Sequence, residues 1–198
     1  MFHMKSSSIM WLFFLLFTLG LFTFGIISCS AFSEQVSDEE AGMNSGFEVD
    51  RDGLPVNWLC YTPETVGDSD FSIQLDDEEF KEGKQSLRFD LQKSYTKVGR
   101  FAPGITQEFV AINGTNYRIS FWVKNTGTEF IIRTSAVSPH DQIVGPSLRS
   151  KEVIDAWKYF ELEFSMHYGL PKLRFELNVL SKGSFWIDDI QINEIKNE

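Results

Sequence analysis

The feature that most constrains this chain is the alternation of apolar and polar residues at period two. Within Asn113–Asn125, Tyr117, Ile119, Phe121 and Val123 are interleaved with Arg118, Ser120, Trp122 and Lys124. Leu87, Phe89 and Leu91 alternate with Arg88 and Asp90, Phe160, Leu162, Phe164 and Met166 with Glu161 and Glu163, and Leu173, Phe175, Leu177 and Val179 with Arg174, Glu176 and Asn178. Successive side chains of an extended strand point to opposite faces, so each run has one dry face and one wet face. Shorter runs at 71–75, 105–112, 130–137 and 183–192 extend the set. Turn sequences such as Glu82-Gly83-Lys84, Asn113-Gly114-Thr115 and Lys182-Gly183-Ser184 separate the runs. Half-buried strands at this spacing predict an all-β antiparallel β-sandwich rather than a parallel sheet with crossover helices. Beyond Cys29 no helix is expected except one turn at Val153–Ala156. A chain of 198 residues, 42% hydrophobic and 15% aromatic, fills one domain of this kind but not two.

The first part of the chain reads differently. Ile9–Ile27 is uncharged, follows Lys5, and reaches the lower edge of membrane-spanning length. It ends in Ile26-Ile27-Ser28-Cys29, which resembles a bacterial lipobox. The resemblance implies a signal peptide over residues 1–28, cleavage before Cys29, and acylation of Cys29, with lipid replacing the helix as membrane anchor. An uncleaved signal anchor with an incidental Cys29 is the alternative. Residues 29–43 are polar, acidic and without periodicity, and read as a flexible tether. The sandwich then occupies residues 44–198. This organisation places the protein as a bacterial membrane-anchored lipoprotein, at the outer membrane or cell surface ahead of the inner membrane. The 28 acidic and 18 basic residues give a net charge of −10, which argues against nucleic acid as a partner.

Several landmarks follow one another in order: Asn44–Glu48 (NSGFE), Gly53–Trp58 (GLPVNW), Glu82–Phe89 (EGKQSLRF), Gln107, Asn113–Asn125, Trp157 and Ile187–Ile192 (IDDIQI). Together they resemble the carbohydrate-binding modules of the galactose-binding-like jelly-roll type that flank many bacterial xylanases and glucanases. The resemblance implies a jelly roll whose first and last strands lie side by side. It also implies a structural calcium between them, held by Glu48, by Asp188 or Asp189, and by carbonyls of the Gly83–Ser86 loop. Strict alternation puts only one aspartate on the Glu48 side, with Asp189 favoured and Asp188 open. Carboxylates gathered without a cation repel one another, and calcium takes six to eight oxygens, so the chemistry agrees.

Sugar binding needs exposed aromatic faces for pyranose rings and polar groups for the hydroxyls. Trp122 is the leading candidate, because alternation places it on the wet face beside Arg118 and Lys124; a loop or neighbouring strand that covered it would make it packing instead. Arg174, Glu176 and Asn178 supply polar partners from another strand, and Trp58, Tyr61, Tyr95, Phe101 and Tyr168 are rim aromatics. Trp157 and Trp186 read as packing. Catalysis has little support: Ser138-Pro139-His140-Asp141 is too local for a triad and reads as a turn, and Asp76–Glu79 reads as a charged hairpin loop. Cys60, with Cys29 acylated, is a lone buried thiol. The expectation is a non-catalytic, lipid-anchored envelope protein whose partner is a polysaccharide or other glycan. The alternative is a structural or protein-interaction module that docks envelope proteins and takes no sugar.

Overall fold

A computed structural model describes residues 37–196. The expected signal peptide, residues 1–28, and Cys29 lie outside the described residues.

Two minor strands, β1 (Asp50–Arg51) and β2 (Leu54–Pro55), form a small hairpin. They are followed by β3 (Leu59–Tyr61), a single helical turn α1 (Pro63–Val66), β4 (Phe71–Asp76), β5 (Ser86–Leu91), a 3-10 turn at Gly99–Phe101, and β6 (Gly104–Val110). Then come β7 (Asn116–Thr126), β8 (Phe130–Val137), β9 (Gln142–Ser150), β10 (Val153–Ser165), β11 (Lys172–Val179) and β12 (Gly183–Glu194). Two antiparallel five-stranded sheets result, one in the order β10-β7-β12-β5-β4 and the other in the order β3-β6-β11-β8-β9. This is the antiparallel sandwich that the alternation predicts and the jelly roll that the resemblance implies.

The dry faces meet as expected. Phe121 of β7 lies 6.0 Å, ring centre to ring centre, from Phe175 of β11 in the opposite sheet, and Phe130 of β8 lies 4.7 Å from Phe185 of β12. Trp58 extends this aromatic core, edge-on to Phe175 at 5.9 Å and tilted against Phe47 at 5.6 Å. Burying rings of this size supplies the main drive for closing the sandwich. Cys60 is buried and free, and burial pushes its thiol up to about 12.

The structure departs from the sequence reading in several places, α1 at Pro63–Val66 among them, where no helical turn was expected. Val153–Ala156 is the start of β10, not a helical turn; an irregularity between Ile154 and Lys158 breaks its alternation. The strand β9 was not expected. Its Gly145 and Pro146 interrupt any pattern and its side chains are largely exposed, and Pro146 is tolerated because β9 is an edge strand. The folded region also begins before Asn44. Asp38 Oδ1 caps the amides of Glu40 and Ala41, and the Asn57 amide donates to the carbonyls of Asp38 (2.6 Å) and Gly42 (2.8 Å), so residues 38–43 form an ordered turn rather than tether.

Candidate functional site

Three places carry the side chains singled out in the sequence. The first joins the start of the sandwich to β12. Asn44–Glu48 does not form a strand; the backbone link is one bond, from the Ile190 amide to the Ser45 carbonyl at 3.0 Å. It falls at a bulge in β12, where the register with β7 shifts between Asp188 and Gln191 and Asp189 takes φ 49°. The bulge sends the two aspartates to different partners. Asp188 is fully buried, and its Oδ2 accepts the amides of Lys81 (2.7 Å) and Glu82 (3.0 Å). Asp189, turned aside, accepts instead from the Gln191 side chain at 2.5 Å. Glu48 reaches the same loop from its other end, where Oε1 accepts the Lys84 amide at 2.9 Å. A Cβ on Gly46 would stand 3.8 Å from both Glu48 Oε1 and Asp188 Oδ1, so the bare glycine leaves a space lined by the two carboxylates. Burial pushes Asp188 up to about 6, against the pull of the amides it accepts. Among the described residues no three acidic, histidine or cysteine side chains cluster as a metal-binding group. A cation at this space would have only the carboxylates of Glu48 and Asp188 and backbone oxygens as donors.

The second place is the outer face of the β10-β7-β12-β5-β4 sheet. Trp122 stands there, opposite Tyr159 and Asp188 in the strand register. Its ring lies 5.4 Å from that of Tyr159, and the Asp77–Gln85 hairpin folds over it with Lys81 Nζ 4.5 Å from the ring centre. Lys124 is tied to the same hairpin through Glu79 at 2.7 Å. Trp186 is buried, donating to Asp76 Oδ2 at 2.8 Å. Burial raises Asp76, but bonds from Trp186, Glu79 and Glu78 outweigh it and hold the carboxyl below its ordinary range. Arg118 is exposed and pairs with Glu163 at 2.8 Å. Trp122 is thus half-buried under a loop, and neither it nor Arg118 shares a sheet with Arg174, Glu176 and Asn178.

Those three residues lie on the third place, the outer face of the β3-β6-β11-β8-β9 sheet. Strand register sets its rows: Thr106, Glu176, Arg133 and Ser147 in one, Glu108, Arg174, Ser135 and Val144 in the next, with Gly104 and Asn178 continuing toward Tyr61. Glu176 is the hub. It accepts the Tyr61 hydroxyl at 2.8 Å on one oxygen and the Arg133 guanidinium on the other. Burial first, then the Glu176 charge and hydrogen bond, push the Tyr61 phenol well above its ordinary value. Asn178 accepts the Gly99 amide at 2.7 Å and returns a bond to the Gly99 carbonyl at 2.9 Å, pinning the 3-10 turn against the sheet. Arg133 Nε is buried without a hydrogen-bond partner among the described residues. Arg174 and Lys172 both pair with Glu108, at 2.6 and 3.0 Å. Phe101, 53% exposed, projects from the pinned turn. An exposed ring beside a bonded set of guanidinium, carboxylate, amide and phenol is what a polar, ring-shaped ligand requires.

Of the aromatics expected at a rim, Tyr61 and Phe101 are at this face, Trp58 is core, Tyr95 packs on Phe71 and Tyr168 is exposed elsewhere. Arg133 was missed by sequence reading: in Phe130–Val137 it is the one charged residue of a run without strict alternation, and only the register with β11 puts it beside Glu176. Ser138–Asp141 is the turn between β8 and β9, with the Ser138 hydroxyl accepting the Asp141 amide at 3.1 Å.

The class these features define is one of fold, the antiparallel jelly-roll sandwich. No protein-family model matches the chain, and no curated protein is similar to it in sequence. Solved structures are similar in fold. The CBM22-1 xylan-binding domain from Paenibacillus barcinonensis superimposes with a TM-score of 0.53 at 17% identity, over 78% of this chain and 94% of that one. TmCBM61, in complex with β-1,4-galactotriose, gives 0.54 at 17% identity over 77% and 96% of the two chains. A CBM4 structure gives 0.54 at 10% identity over 77% and 98%.

Proposed function

We propose that this protein is a non-catalytic module that binds a polysaccharide or other glycan on the outer face of the β3-β6-β11-β8-β9 sheet. The observation that carries the reading is the convergence of Tyr61, Arg133, Glu176 and Asn178 in one hydrogen-bonded group beside exposed Phe101. Sugar hydroxyls exchange bonds with such a group, and an apolar ring face covers the C–H face of a pyranose. The similarity in fold to a xylan-binding domain and to a module in complex with a galactotriose supports it. In the same reading Cys29 carries lipid and holds the module at the bacterial envelope, on the outer membrane or cell surface, where tethering keeps a weakly bound glycan close. Calcium at the space beside Gly46, on Glu48 and Asp188, would join residues 46–48 to β12. Titrating the protein with a panel of plant and bacterial polysaccharides tests the binding. Glu176→Gln should weaken binding while Trp122→Ala leaves it unchanged, and the reverse pattern, or no binding to any polymer by a folded protein, would refute the assignment.

A further inference from the structure

The chain as a whole is strongly acidic, yet the proposed glycan face is not. Six cationic side chains stand on it or at its rim: Lys97, Arg100, Arg133, Arg149, Lys172 and Arg174. Three carboxylates pair with them, Glu176 with Arg133, Glu129 with Arg149, and Glu108 with both Lys172 and Arg174. Among the described residues no carboxylate pairs with Lys97 or Arg100, and both are exposed. These two flank one ring. Lys97 Nζ lies 5.3 Å and the Arg100 guanidinium carbon 5.2 Å from the centre of Phe101. The turn that carries Arg100 and Phe101 is fixed in place by Asn178, and a Cβ on Gly99 would stand 3.6 Å from Glu176 Oε1 and 3.8 Å from Arg133 Nη2. The turn that carries the Phe101 ring and Arg100 therefore abuts the Glu176 group through Gly99, with Lys97 on the same ring.

A neutral polysaccharide offers these cations only hydroxyl oxygens, whereas a sugar ring bearing an anionic substituent gives them a charge partner and so fits both halves of the arrangement. Resting on the assignment of this face as the glycan site, we infer that the ligand is an acidic polysaccharide whose uronate carboxylates meet Lys97 and Arg100 while a sugar ring covers Phe101. A guanidinium presents paired donors to a carboxylate, and a cation excess on an otherwise acidic protein draws a polyanion to this face in preference to the rest of the surface.

The test titrates the full-length chain with uronate polymers (polygalacturonate and alginate), a sulfated polymer (dextran sulfate) and neutral polymers (xylan and mixed-linkage glucan). The uronate polymers should bind more tightly than the neutral ones. The double variant Lys97→Gln/Arg100→Gln should lose about tenfold in uronate affinity, as expected for removing a charge-assisted contact. Raising salt from about 50 to 500 mM should weaken uronate binding in the parent far more than in that variant. Lys158→Gln, on the other sheet, should change nothing. Tighter binding of neutral polymers, or uronate binding indifferent to the double variant, overturns the inference and leaves the glycan site standing, provided that Glu176→Gln still weakens the neutral ligand. Dextran sulfate binding above the uronates and falling equally in Lys158→Gln marks a general polyanion effect and also overturns it. Binding of no polymer removes the site together with the inference. Arg100→Glu, which removes the same two units of positive charge and should lose about tenfold or more in uronate affinity, is the second variant should the double one fold poorly.

Discussion

Replacing Glu176 with Gln keeps the shape of the side chain and removes the charge on which the candidate face is built. Glu176 is largely buried (15% exposed) and Arg133 is a quarter exposed. The lost charge-assisted bond is worth about 1.5–3 kcal/mol, and water that reaches the partly open guanidinium recovers some of it. A net cost of about 2 kcal/mol lowers the Tm of a domain this size by about 4–8 °C. A second readout is independent of stability. The Tyr61 phenol is held high by burial and then by Glu176, so the variant should ionise Tyr61 at lower pH, with the amide oxygen still accepting its hydroxyl. Differential scanning calorimetry and ultraviolet titration of the phenolate measure the two effects. An unchanged Tm together with an unchanged tyrosine titration would show that Glu176 does not organise this face.

Three further outcomes follow from the geometry. Trp122→Ala should cost about 2 kcal/mol, because the ring is half-buried under Lys81 and against Tyr159, while glycan binding stays intact; calorimetry and a binding titration separate the two. Gly104→Ala should destabilise the fold strongly, since a Cβ there would overlap the Leu177 carbonyl oxygen, and denaturant unfolding reads the loss. Asp188, raised from 3.8 to about 6 by burial, holds a proton in the native state that the unfolded chain has already released. Its contribution is therefore full below the unfolded value and is lost as pH rises through about 6, a swing of about 3 kcal/mol. In chelator the Tm should rise as pH falls from about 7 to 5, and Asp188→Asn should flatten that slope. A flat profile in the parent would contradict the reading that burial outweighs the amide bonds to this carboxylate.

The alternation in β7 and β11 was enough to read the sandwich, because a period of two with large apolar residues has one burial solution. Legibility failed where pattern and environment part. Nothing in QIVGPSLRS separates an edge strand from a loop, since an exposed edge imposes no apolar period. In IDDIQI, alternation alone could not choose between Asp188 and Asp189. The choice is made by a bulge whose positive φ falls on an aspartate rather than a glycine, so no residue type announces it. The candidate site was half visible for a related reason. Period two tells which residues of one strand share a face but not which sheet a strand joins, so Trp122 and Glu176, both on wet faces, looked compatible. Sheet membership depends on long-range register, which places β7 and β11 in opposite sheets and turns their wet faces away from each other. The same step brings Arg133 and the Gly99–Phe101 turn to Glu176 from distant parts of the chain. Two wet faces of one sandwich therefore differ in their surroundings: on one the acidic hairpin carries Lys81 over Trp122, and beside the other Lys97 and Arg100 flank the exposed Phe101 ring.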